Sequence, residues 1–78
     1  MGKEYSELTI REKMDILIEE MIRERILLND AKREFEKMYI EKVLSYYKNN
    51  KSKAAEFLGM HRNTLQGKVK NLKIKTSK

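Results

Sequence analysis

From Ile10 onward, apolar residues return at helical spacing: Ile10, Met14, Leu17, Ile18, Met21 and Leu28 fall on one stripe, with Arg25 the only charge inside it. Thr9 precedes the stripe and Glu12 stands three residues later. At that spacing a hydroxyl caps a free N–H while the carboxylate reaches back to the cap residue. Ile26, Leu27 and Leu28 are consecutive and cannot all share the stripe. The pattern therefore predicts a first helix over residues 9–28 and a turn at Asn29-Asp30, either of which can cap the second helix.

The next segment, 31–48, is patterned differently. On a 3.6-residue wheel Ala31, Phe35, Met38, Tyr39, Ile40, Val43, Leu44, Tyr46 and Tyr47 cover most of the circumference, leaving a narrow polar strip of Glu34, Lys37, Glu41, Ser45 and Lys48. A helix that apolar needs more than one neighbour. Either it is the core of a monomer, or some neighbours belong to a second subunit. The second option makes folding and association one event, and a charge at Val43 or Tyr46 is then expected to unfold the protein.

Asn49-Asn50 breaks the pattern, and Asn50 can cap a short third helix over 51–58. Gly59 stands where a left-handed C-terminal turn calls for glycine, and a fourth helix is expected over 61–72. Proline is absent, glycine occurs only at 2, 59 and 67, and strict alternation is missing, so the fold class is all-α with four helices.

Ala55, Gly59 and Leu65 have the offsets of a helix-turn-helix: a small residue where two helices cross, a glycine in the turn, and an anchor on the second helix. Leu58, Met60, Val69 and Leu72 complete the apolar side. Outside it lie Asn63, Gln66, Gly67 and Lys70, flanked by Arg62, Thr64 and Lys68, with no carboxylate among them. Guanidinium and amide groups match base edges, while lysines and hydroxyls meet phosphates. Arg62 and Asn63 sit in the first turn, the end of a recognition helix that points at the bases.

Charge divides the chain in the same place. Residues 1–41 carry 8 Lys+Arg against 11 Asp+Glu, and residues 42–78 carry 10 against 1, so a net of −3 stands beside a net of +9. Only the C-terminal half is built to meet a polyanion. With 78 residues there is room for one domain, spanning 1–78, and little core to spare. The absence of cysteine excludes disulfides and thiolate metal sites. A single histidine with no carboxylate at ligand spacing argues against a metal, and neither a nucleophile–base pair nor a phosphate-cradling loop is present, so no enzyme, cofactor or small-molecule substrate is expected. No run approaches a membrane span and no leader pattern opens the chain, so a cytoplasmic, nucleoid-associated location is expected. The charged-residue content of 38% leans toward a thermophile. Tyr46 and Tyr47 lie in the apolar sector and are expected in the core rather than stacked on unpaired bases.

The stretch NKSKAAEFLGMHRNTLQGKVKNL, residues 50–72, resembles the Fis family and the similar C-terminal DNA-binding domains of NtrC-type activators, whose pattern runs N-x-[ST]-x-A-A-x-x-L-G-[IM]-x-R-x-T-L-x-[RK]-K-L. Asn50, Ser52, Ala54, Ala55, Leu58, Gly59, Met60, Arg62, Thr64, Leu65 and Lys68 fit it, and FEKMYIEKVLSYY looks like the family's second helix. The resemblance implies an intertwined homodimer through the first two helices, 9–28 and 31–48, with Leu17, Met21, Phe35, Tyr39, Val43 and Tyr46 at the interface. It implies a helix-turn-helix over 51–72 and double-stranded DNA as partner, bent to meet two closely set recognition helices. Asn50, Ser52, Thr64, Lys68 and Lys70 would meet phosphates; His61, Arg62 and Gln66, with Asn63 beside them, would lie near base edges. Gln66-Gly67 replaces one or two basic residues usual in the family, and Lys73 stands where a glycine is frequent. Met1-Gly2 reads as an added start, which would suit an excised domain of a transcription activator; a stand-alone Fis-like regulator is the other reading. From a different class, a helical dimerisation or adaptor module whose basic end binds an acidic protein also fits the composition.

Overall fold

The computed structural model describes residues 4–75, so the Met1-Gly2 expectation lies outside the described residues. A 3-10 turn, Tyr5–Glu7, precedes four helices: α1 Ile10–Arg23, α2 Leu28–Tyr46, α3 Lys51–Leu58 and α4 Arg62–Asn71. No strand occurs among the described residues. The chain forms two compact units that divide between Ala31 and Lys32, in the first turn of α2.

In the first unit the capping box is as the sequence predicts. The Glu12 N–H donates to Thr9 Oγ1 at 3.1 Å and the Thr9 N–H to Glu12 Oε1 at 2.8 Å, which satisfies two donors that the first turn leaves free. The predicted end at residue 28 is not observed. α1 stops at Arg23 because Arg25 takes a left-handed conformation, φ 60°, and the chain closes a Schellman turn. The Ile26 N–H reaches the Met21 carbonyl and the Arg25 N–H the Ile22 carbonyl, both at 3.0 Å. Asn29 and Asp30 are consequently not a turn. They lie in the first turn of α2, where the Asp30 carboxylate complements the positive end of the helix dipole.

The same closure ends every helix, with bonds of Asn49 to Leu44 and Lys48 to Ser45 after α2, Met60 to Ala55 and Gly59 to Glu56 after α3, and Ile74 to Val69 and Lys73 to Lys70 after α4. Only α3 uses glycine there, Gly59 at φ 75°; Arg25, Lys48 and Lys73 hold the left-handed position in the others. The glycine that the resemblance implies at the place of Lys73 would have a conformational reason there, and Lys48 explains why α2 ends at Tyr46 rather than at 48.

The second unit holds the core: Ile40, Val43, Leu44, Ala54, Ala55, Leu65, Val69, Leu72 and Ile74, with Tyr47, Leu58 and Met60 packed against it. The broad apolar sector of α2 is in fact two faces. Ile40, Val43, Leu44 and Tyr47 point into the core, while Phe35, Met38, Tyr39 and Tyr46 lie on the opposite side, exposed. Two sequence-based expectations change as a result. Val43 is a core residue of its own chain, because it shares the inward face with Ile40 and Leu44. Tyr46 is not core: it is 83% exposed, and only Tyr47 is covered, against Phe57.

Candidate nucleic-acid interface

α3, the Gly59 turn and α4 form the helix-turn-helix. Ala54 and Ala55 are buried, which lets α3 approach α4 closely, and Leu65 is fully buried where the two pack. Burying a leucine of this kind contributes about 1.5–3 kcal/mol. The Asn50 side chain accepts the Lys53 N–H at 3.1 Å, capping α3 as expected, so its amide oxygen is already engaged. Ser52 is exposed one residue into the same helix.

α4 has two unlike ends. Its N-cap, His61, makes no side-chain capping bond, and Arg62, Asn63, Thr64 and Gln66 in its first turns are exposed. Two contacts from α2 reach its far half: Arg33 Nη2 donates to the Asn71 carbonyl at 3.2 Å, and Lys68 Nζ donates to Glu36 Oε2 at 2.6 Å. The first contact satisfies a carbonyl that the last turn leaves free and places a cation at the negative end of the helix dipole. Leu72 and Ile74 seal the same end by burial.

The structure thus displays His61, Arg62, Asn63, Thr64, Gln66 and Lys70 to solvent, but Lys68 is half-buried and ion-paired. Arg33 and Glu36 are site neighbours that the sequence did not reveal, since each lies more than 30 positions from its partner and looks like ordinary helix-surface charge. Gly67 is helical, at the centre of the outward side, and a Cβ there would meet no atom within 4 Å. The position is therefore open, and packing gives no reason for a glycine.

The family model of the bacterial regulatory proteins of the Fis family matches residues 32–72. The chain belongs to this family. The Fis-family match starts at the residue where the second compact unit starts and ends at Leu72, so it takes in α3, α4 and nearly all of α2 and leaves α1 outside. Fis-type helix-turn-helix domains are DNA-binding regulatory domains, which is what the displayed face of α4 is suited to. No curated protein and no solved structure matches the chain. No helix among the described residues is long and apolar enough to cross a membrane.

Proposed function

We propose that the protein binds duplex DNA sequence-selectively as a homodimer, either as the DNA-binding region of an NtrC-type activator or as a stand-alone Fis-like regulator. The observation that carries this reading is the asymmetry of α4. One end is clamped by Arg33, Leu72 and Ile74, while the other projects Arg62, Asn63 and Gln66 with no acidic residue anywhere from 61 to 75. A helix with a free, amide- and guanidinium-bearing first turn is suited to reading base edges in the major groove. Arg62 donates to guanine; Lys70, two turns further on, meets phosphate. The homodimer is supported by the uncovered apolar side chains of α1 and of the outward face of α2, which a second copy would bury.

Titration of specific and random duplexes across a range of salt concentrations tests the assignment. Arg62→Ala should collapse the ratio of specific to random affinity, by about 1–3 kcal/mol for each lost bidentate contact. Lys70→Ala should weaken both duplexes alike and shallow the slope of log affinity against log salt by roughly 1 for each lost phosphate contact. Equal weakening of both duplexes by Arg62→Ala would move base reading to Asn63 or Gln66. Absence of duplex binding by the unaltered protein would refute the proposal as a whole.

A further inference from the structure

Residues 61–75 include no carboxylate, yet the fold brings one against the flank of α4. Glu36 lies on the inward face of α2, one turn before the buried Ile40, and its Oε2 sits 2.6 Å from Lys68 Nζ. Its placement follows from the packing. Arg33, on the same face, bonds the Asn71 carbonyl, and Ile40 and Leu44 pack in the core with Leu65 and Val69, so this side of α2 is fixed in register with α4. The pair is not a structural keystone. Both side chains remain partly open, at 38% and 42%, and ion pairs that exposed contribute little to stability. The end of α4 is in any case held by Leu72, Ile74 and Arg33.

Taking the DNA-binding reading of α4 as its basis, we propose that Glu36 competes with DNA phosphate for Lys68, so that each subunit carries a carboxylate that withholds one cation until a phosphate displaces it. Binding then exchanges one anionic partner of Lys68 for another and leaves Glu36 unpaired beside a polyanion, which weakens association on every sequence. Lys68 differs in this from Lys70, which is exposed and has no ion pair among the described residues. Of the two, Lys70 is the ready phosphate contact and Lys68 the restrained one.

The test is Glu36→Gln, with Lys68→Met and the double variant, titrated on specific and random duplexes from low to high salt. Glu36→Gln should tighten both duplexes alike, by up to roughly fivefold for each subunit at low salt. The gain should shrink as salt screens the repulsion, which steepens the slope of log affinity against log salt. Lys68→Met should cost more affinity in the Glu36→Gln background than in the unaltered protein, because there Lys68 has nothing to surrender. Unchanged or weakened binding by Glu36→Gln, with an unchanged slope, would overturn the proposal and make Glu36 a tether that keeps Lys68 in place. A large drop in melting temperature for Glu36→Gln would overturn it equally, since the pair would then be structural. If the unaltered protein binds no duplex, the DNA-binding reading itself fails; if it binds and Glu36→Gln matches it, only the competition fails.

Discussion

The two compact units are built from the same material, amphipathic helix with a stripe of large apolar side chains, and they end up in opposite conditions. In the second, α2, α3 and α4 enclose nine buried apolar residues, from Ile40 to Ile74. In the first, α1 buries nothing: Ile10, Met14, Leu17, Ile18 and Ile22 are all exposed, Ile10 to 78%. A stripe is a demand for a neighbour, and only the second unit supplies one from within. α2 shows both outcomes in one helix, with a face satisfied by its own unit and a face, Phe35, Met38, Tyr39 and Tyr46, that is not. The family match covers the self-sufficient part and omits α1.

Substitutions that separate the two conditions sharpen this contrast. The largest effect is expected at Leu65, whose truncation to alanine removes a fully buried anchor and should cost about 2–5 kcal/mol at any protein concentration. Thermal melts at two concentrations check it, and a loss that concentration repairs would assign Leu65 to an interface instead. Tyr46→Asp should act in the reverse way. It leaves the Ile40–Leu65 core untouched, so the helical signal of the second unit should persist while self-association weakens at least tenfold, about 1.4 kcal/mol. Sedimentation across a dilution series would show this, and a melt abolished at every concentration would mean that the second unit does not stand by itself. The unaltered protein should correspondingly melt higher as concentration rises.

Smaller effects test the helix-turn-helix locally. Gly67→Ala meets no atom and removes a flexible residue from the middle of a helix, so it should stabilise by about 1 kcal/mol. Comparing its duplex affinity with that of the unaltered protein also decides whether the missing side chain serves the fit to DNA: lower specific affinity in a more stable protein would show that it does. Lys73→Gly should be smaller still, a gain of about 0.5–1 kcal/mol from relief of the left-handed backbone, offset by the greater freedom of glycine in the unfolded chain.

Local residue identity made part of the molecule legible in the sequence. Thr9 with Glu12, Asn50 before α3, and Gly59 after it each declare a helix boundary chemically, and all three are in place. The end of α1 was hidden because Arg25 does a glycine's work, and nothing about an arginine announces a left-handed backbone. The excess of apolar residues on α2 was legible, but its division into two faces was not, because that depends on which side α3 and α4 occupy. The exposed first turn of α4 could be anticipated from its composition. The Glu36–Lys68 and Arg33–Asn71 contacts could not, since tertiary packing alone brings positions that far apart together.

The helix ends have a further consequence for how the chain comes apart. Three of the four Schellman turns place Arg25, Lys48 or Lys73 at the stop, and each of these residues is exposed. A protease that cleaves after basic residues therefore finds a candidate bond at the end of every helix except α3. Such cleavage requires local opening, and the neighbour after each bond sets how easily that occurs. Ile26 is 43% exposed whereas Ile74, at 7%, is buried in the core, so the chain should be cut more readily after Arg25 than after Lys73. The cut after Arg25 would sever the backbone between α1 and the Fis-type segment and leave that segment in one piece.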